Sequence, residues 1–374
     1  MENEILEVKP KEGGSFSVII QPGIFGETDE ATAGVLAKIA EGDELRVIFV
    51  ADANVVRTLD GLGSRIGRYV NQRNIRMAVP PLVLPGGEKI KQDGSQAAMK
   101  VASAIMDARL GVHDAVIAIG GGALLDVAGY AAAITRGGVP LVRVPTTVAA
   151  MLESSFATTA NLDFTGIKDA LRVRSVPAAS IIDPALAQTV LLGVWNGSIA
   201  ELIRHAAVKE PSLLKHIVES MDMLKAHDSE TVSEIVQMAV RSRAARGGTP
   251  FALWCAERLE AMSAFRLPHG YATAIAICIE CAYAVKRGIL QEKDQETICR
   301  ALADCGSLDC LVHSRHLIGQ CDNILKGLDA LRLVTGSESR VLASGVGKAK
   351  REDKPDREIY REVIKAFEDA SFDE

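Results

Sequence analysis

Hydrophobic and polar positions change rhythm once along the chain. In the first half, short apolar runs stand at 16–21 (FSVIIQ), 45–50 (LRVIFV), 81–84 (PLVL), 115–119 (AVIAI), 141–144 (LVRV) and 180–182 (SII). Helix-length segments separate them, among them 30–40, 96–110 and 126–135. This alternation predicts a parallel sheet covered by helices on both faces. The near-continuous apolar character of the strands predicts that both faces are buried. Beyond about residue 185 the strand signals fade and amphipathic helical patterns follow at 199–208, 213–226, 230–245, 252–263, 269–287 and 292–305. The expected architecture is an α/β N-terminal domain with a parallel sheet (1–183) and an all-α C-terminal domain (184–374). The charged tail after residue 345 reads as a solvated loop followed by a surface helix.

Composition narrows the classes of function. The chain has 374 residues, 48% hydrophobic and 24% charged, with a net charge of −6 and no long basic run. That argues against general nucleic-acid binding. The N-terminus MENEILEVKPKEGG is acidic where an export signal is basic and then apolar, so a cytoplasmic protein is expected. The longest apolar stretch, YATAIAICIECAYAV at 271–285, is shorter than the roughly 20 residues of a membrane span and reads as a core helix. The seven cysteines all lie in the C-terminal third and are expected as free thiols. Cys278 and Cys281, in CxxC spacing, fall inside that apolar helix and read as core residues rather than as a zinc or redox pair.

The candidate chemistry clusters where the predicted strands end. Gly120, Gly121 and Gly122 follow a buried strand, and Asp126 lies four residues beyond. Glycine permits a close approach of ligand to backbone, and the helix start behind it offers free N–H groups to a pyrophosphate. The spacing is not G-x-G-x-x-G, so this is not the usual dinucleotide turn. Asp52 and Asn54 follow another strand, Glu88 and Lys91 a third, and Thr146 and Thr147 a fourth. Ends of parallel strands are where open sheets bind ligands. His113, His216, His227, His313 and His316 form no constellation and read as structural or solvated.

Taken together these segments resemble the sugar phosphate cyclases: dehydroquinate synthase and the 2-epi-5-epi-valiolone and 2-deoxy-scyllo-inosose synthases. The resemblance rests on DANV at 52–55, GGEKIK at 86–91, the run GGGALLDVAGYAAAITRGGVPLVRVPTTVAA at 120–150, ESS at 153–155 and GIKDAL at 166–171. AELIRHA at 200–206 and RLEAMSAFRLPHGYATAI at 258–275 complete it. It implies two domains enclosing a cleft with NAD and a divalent metal, Zn or Co. The implied chemistry is transient oxidation of a sugar phosphate hydroxyl, phosphate elimination, return of the hydride and closure of a carbocycle. By resemblance Asp52, Asn54, Glu88, Lys91, Gly121, Gly122, Asp126, Thr146 and Thr147 hold NAD. Arg136 binds substrate phosphate, across a homodimer interface in one arrangement. Lys168 and Glu153 face the substrate.

The same resemblance marks departures. Its metal site uses a glutamate and two histidines. Glu201 and His269 match, but Leu253 stands at the other histidine and offers no lone pair. Glu257 stands where a histidine credited with proton transfer is expected. His205, one turn after Glu201, and Glu257 are the candidate replacement ligands. Arg204 replaces a lysine, Thr159 a lysine, Asp169 an asparagine, Pro250 an asparagine and Glu153 an aspartate. Three readings follow: a divergent cyclase-like enzyme using NAD, a non-catalytic paralogue partnering an active cyclase, or a polyol or glycerol-phosphate dehydrogenase.

Overall fold

The computed structural model describes residues 3–10, 14–42, 44–92, 94–165, 167–190 and 192–370. Gly166 of the GIKDAL run, parts of the acidic N-terminus and the last four residues lie outside them. The chain divides into two units, Met1–Val190 and Leu191–Glu374.

The first unit is built on one sheet. Its strands in chain order are β1 (Glu4–Val8), β2 (Phe16–Ile20), β3 (Leu45–Asp52), β4 (Ile75–Met77), β5 (Leu82–Leu84), β6 (Ala115–Gly120) and β7 (Leu141–Pro145). After a separate hairpin of β8 (Thr159–Phe164) and β9 (Ile167–Arg174), β10 (Ala179–Ile182) rejoins the sheet. The spatial order is β1-β2-β10-β7-β6-β3-β4, with β5 also paired to β3. All pairings are parallel except β1 with β2. Every residue of β6 and β7 is buried, Arg143 of β7 among them, as expected of central parallel strands. The helix Gly122–Ile134 lies against this core with Leu124, Leu125, Val127, Ala128 and Ala131 buried.

The order of pairing creates the functional edge. From β3 the chain moves outward to β4 and β5, then returns to β6 on the other side of β3. The ends of β3 and β6 therefore flank a switch point, the place where open parallel sheets leave a crevice. Register fixes which residues meet there: Asp52 is opposite Leu84, Ala51 opposite Ile119, and Gly120 opposite Pro145. The hairpin β8–β9 covers the helix Gly122–Ile134. A Cβ on Gly129 would meet Ala160 Cβ at 3.2 Å and Ser175 Oγ at 3.0 Å, so glycine lets hairpin and helix touch.

The second unit is helical, with Leu192–Lys209, Ser229–Arg246, Leu253–Met262, His269–Lys286, Glu292–Asp304 and Cys321–Thr335 as its main helices. The apolar stretch expected in the core forms the helix His269–Lys286, with Cys278 and Cys281 buried. Among the described residues no helix is long and apolar enough to cross a membrane. Where a solvated loop was expected, β11 (Arg340–Gly345) and β12 (Lys348–Glu352) form an antiparallel hairpin, so this unit is helical with one hairpin rather than all-α. The tail helix Arg357–Ala370 follows and buries Tyr360, Val363 and Ile364.

One buried polar network fastens these late elements. Glu280, fully buried on the helix His269–Lys286, accepts from Trp254 Nε1 and, at 2.9 Å, from Tyr360 Oη. Arg340 donates to Tyr360 Oη at 2.7 Å and to Glu352 at 2.6 Å, and its guanidinium lies over the Tyr283 ring. Removing one member of a buried charge set leaves the other uncompensated. Arg340→Met is therefore expected to cost about 3 kcal/mol in urea unfolding, with part of the loss recovered in Arg340→Met/Glu280→Met. An unchanged unfolding midpoint in Arg340→Met would refute this account of the clasp.

Candidate functional site

Four strand ends assemble the first cluster. Asp52 ends β3 and caps the helix Ala53–Thr58, its Oδ1 accepting from Asn54 N at 2.7 Å. Burial raises its pKa, against the pull of those backbone donors. Gly86 follows β5 and passes so close to the Asp52 carboxylate that any Cβ would collide with it. Gly121 and Gly122 open the helix Gly122–Ile134, whose start carries no side-chain cap. Thr147 caps the next short helix through Ala150 N at 3.2 Å, and Thr146 N donates to Gly120 O at 3.0 Å.

Gly121 and Gly122 matter for the side chain they lack rather than for their dihedral freedom. Gly121 has φ −74° and ψ 172°, a conformation open to any residue. What matters is space. A Cβ would stand 3.3 Å from Thr147 Cγ2 at Gly121 and 2.9 Å from Ser154 Oγ at Gly122. The bare backbone, walled closely by Thr147 and Ser154, forms a narrow cradle, and the first N–H groups of the helix lie behind it without intrahelical partners. That suits a pyrophosphate, so these residues fit a dinucleotide.

Beside the cradle stands a buried ion cluster. Lys91 Nζ lies 3.1 Å from Asp126 Oδ2, is bonded to Asp169 Oδ1, and is 4.0 Å from Asp163 Oδ1. Burial opposes the lysine's charge, yet Asp126 and Asp169 hold its pKa well above the ordinary value. Burial lifts Asp126 to about 6, with Asp169 adding to the rise and Lys91 opposing it. Asp169 sits at φ 53°, in the left-handed region, and its N–H donates to Asp163 Oδ1 at 2.9 Å. Asp163 was not picked out from the sequence, and Asp169 was noted only as a departure from the family. The two acids of the segment 159–174, Asp163 and Asp169, were the available signal. Glu88 adds a buried Oε2 with no hydrogen-bond partner.

The remaining expectations for this unit divide. Glu153 is half-buried at the turn beside Ser154, and Lys168 is half-buried next to Asp169. Arg143, buried in β7, fixes that turn by donating to Ser154 O at 2.9 Å and Ala157 O at 2.6 Å. Arg136 does not join them. It is exposed at the far end of the helix Gly122–Ile134, about 20 Å of helix away from Gly122 at 1.5 Å per residue. A parallel strand-helix-strand connection forces this, because the helix runs back to the opposite sheet edge.

The second cluster lies in the helical unit. The helices Leu192–Lys209 and His269–Lys286 cross where Gly197 meets Gly270, with no room for a Cβ at Gly270. One turn from that crossing, Glu201 Oε1 accepts from Thr273 Oγ1 at 2.6 Å and stands 3.2 Å from His269 Nε2. Glu201 Oε2 accepts from Arg204 Nε at 2.9 Å, and Arg204 Nη1 donates to Thr249 O at 2.6 Å. His269 Nδ1 is 3.2 Å from Glu260 Oε1. Glu201, Arg204, Glu260 and Thr273 are all buried. Burial would raise the Glu201 pKa, but Arg204 and His269 hold it well below the carboxylate range. Burial would lower His269, but Glu260 and Glu201 hold it well above its ordinary value.

These residues do not fit a divalent metal. The carboxylate and imidazole atoms that match the family's ligands are turned onto each other and onto a guanidinium. Among the described residues no group of three or more His, Cys, Asp or Glu is arranged to hold an ion. The two replacement ligands lie elsewhere. His205 is buried with Nε2 3.0 Å from Ser242 Oγ, and burial, helped by Arg204 and Arg243, lowers it to about 4. Glu257 is exposed one turn beyond Leu253, which begins the helix Leu253–Met262 and is half-buried.

The fold is an α/β unit with a strand-end cluster, joined in sequence to a helical unit, the dehydroquinate synthase-like arrangement. A family model, 3-dehydroquinate synthase N-terminal, matches residues 81–192. The 3-dehydroquinate synthase of Sinorhizobium medicae (strain WSM419) is 23% identical over 350 residues, covering 90% of this chain and 88% of its own. The 2-epi-5-epi-valiolone synthase of Streptomyces hygroscopicus subsp. jinggangensis 5008, solved with NAD+ and Zn2+, superposes with a TM-score of 0.81 at 20% identity, over 97% of this chain and 99% of that one. A 2-deoxy-scyllo-inosose synthase complexed with carbaglucose-6-phosphate, NAD+ and Co2+ gives 0.78 at 16% identity, over 97% and 99%. Over most of its length the chain is thus similar to the sugar phosphate cyclases, in sequence and in fold.

The crossing at Gly197 and Gly270 is testable. Gly270→Ala is expected to cost about 2 kcal/mol, the usual scale of overpacking, and to part Glu201 from Thr273. Urea unfolding gives the first result and a crystal structure the second. Unchanged stability would show that the backbone contact is dispensable.

Proposed function

We propose that the first unit binds NAD and that the chain is a divergent cyclase-type enzyme acting on a sugar or polyol phosphate. The observation that carries this reading is the alignment of Asp52, Gly86, Gly121 and Thr147 along one sheet edge at a switch point, before an uncapped helix start. In this reading the pyrophosphate lies on the bare backbone of Gly121 and Gly122. Asp52 and Asp126 accept hydrogen bonds from neutral hydroxyl or amide groups. Thr146 and Thr147 wall the cradle, while Glu88 and Asn54 border it. When bound, NAD supplies a hydride acceptor for a substrate hydroxyl. Lys168 and Glu153 are the residues assigned to the substrate side, with Arg143 holding the turn that carries Glu153. Arg136 lies too far along its own chain to reach this edge and is assigned to a site completed by a second copy.

A second reading, a partner subunit without turnover, draws support from the guanidinium paired with Glu201. Phosphate release from sedoheptulose 7-phosphate and related sugar phosphates distinguishes the two. Release that depends on NAD supports the enzyme, and its absence across the series leaves the partner role.

Calorimetric titration with NAD tests the nucleotide site directly. Gly121→Val fills the cradle and is expected to weaken binding by about tenfold or more, equivalent to about 1.4 kcal/mol. No heat of binding with the native chain would overturn the proposal. Asp126 titrates near 6 and accepts hydrogen bonds most strongly as the carboxylate, so affinity is expected to fall as pH drops through that value. Lys91, Asp169 and Arg143 share its surroundings, and Asp126→Asn is the control that should flatten the profile.

A further inference from the structure

We propose that Arg204 permanently takes the place of a divalent cation at Glu201, closing the acidic end of the family's metal site to metal. Counting ligands in the sequence finds one missing, at Leu253, and suggests that restoring a histidine there would restore the site. The geometry points elsewhere. Both oxygens of Glu201 are engaged, Oε2 by Arg204 Nε at 2.9 Å and Oε1 by Thr273 Oγ1 at 2.6 Å. Both nitrogens of His269 face carboxylates, Glu201 and Glu260, each at 3.2 Å. Both Glu201 oxygens and His269 Nε2, the atoms turned toward each other, are thus occupied inside the protein.

Displacing Arg204 is the larger obstacle. Its side chain is 1% exposed and is also held by Thr249 O at 2.6 Å. A metal approaching Glu201 would take the carboxylate to which Arg204 Nε donates without releasing the guanidinium to water, and a buried cation that loses an acidic partner is disfavoured. Arginine does not deprotonate in proteins, so it cannot yield by losing its charge. Lysine, which the resemblance expects here, is a single rotatable point charge and lacks the planar fork that lets Arg204 hold Glu201 and the Thr249 carbonyl together. The inference concerns the helical unit alone and goes beyond the nucleotide reading.

Cobalt titration of the full chain, followed by visible absorption, tests it. After chelation the native protein and Leu253→His are both expected to show no stoichiometric cobalt band that depends on His269. Their melting temperatures should be equal in excess cobalt and in chelator. Leu253→His/Arg204→Lys is expected to gain such a band and to lose it on adding His269→Gln. A band that survives His269→Gln lies elsewhere in the chain and leaves Glu201 metal-free, as proposed. A stoichiometric band in the native protein or in Leu253→His that His269→Gln abolishes overturns the proposal. A folded double variant that gains no band overturns it too. If circular dichroism shows the double variant unfolded, the native and Leu253→His titrations decide. NAD titration of the same preparations reports on the other unit, so failure of one reading is distinguishable from failure of the other.

Discussion

A carboxylate with no access to water must have its charge answered by the protein, and Glu201 is such a group. Ionising it in the interior is costly unless a cation and further donors meet its lone pairs. Arg204, His269 and Thr273 meet them, and Glu260 answers the imidazole in turn. The chain of charges extends from one helix to two others, so it constrains the relative positions of Leu192–Lys209, Leu253–Met262 and His269–Lys286. The crossing at Gly197 and Gly270 makes the arrangement sterically available. A larger residue at either position would hold the helices apart and strand the carboxylate.

The nucleotide-side cluster solves a similar problem with a different balance. One lysine, Lys91, faces three carboxylates, Asp126, Asp163 and Asp169. With all of them ionised the cluster is net negative, and the rise in the Asp126 pKa expresses that excess together with burial. A pyrophosphate would be repelled there. The helix start behind Gly121 and Gly122 offers the opposite polarity, through uncommitted N–H groups and the positive end of the helix dipole. The two surfaces therefore differ on electrostatic grounds: the bare backbone suits an anion, and the acidic cluster suits neutral hydrogen-bond donors. Asp169, where the family pattern expects asparagine, makes that division sharper by adding a charge.

Much of the sheet was legible because its strands are apolar on both faces. The six runs at 16–21, 45–50, 81–84, 115–119, 141–144 and 180–182 each became a strand. The hairpin β8–β9 escaped notice because its outer strand is exposed at alternate residues and carries charges, a pattern shared with loops. The hairpin β11–β12 escaped for a related reason: its first residue is a buried arginine, which pattern reasoning assigns to the surface. The strand-end residues could be placed because each follows a recognisable strand. Thr273 and Glu260 could not, since their partners lie in other helices, for Thr273 72 residues away along the chain. Spacing along one helix suggested His205 as a partner for Glu201. Rotation about the helix and the packing of Ser229–Arg246 gave that histidine to Ser242 instead.

The departures from the family pattern look like separate losses when read one at a time, but several are physically coupled. With leucine at 253 the ligand set that the resemblance implies is incomplete, and a buried glutamate without a cation would destabilise the fold. Arginine in place of lysine supplies a cation that reaches both Glu201 and the Thr249 carbonyl, in the segment leading to Leu253. The substitution that removes the ligand and the one that neutralises the remaining acid thus favour each other. At the strand ends the constraint is steric instead: Gly86 lies against the Asp52 carboxylate, and Gly121 and Gly122 lie against Thr147 and Ser154, so a Cβ at any of them would crowd a neighbour. Packing alone does not account for the uncapped helix start behind Gly121, whose first N–H groups stay available to an anion, and that asymmetry is the physical argument for the proposed nucleotide site.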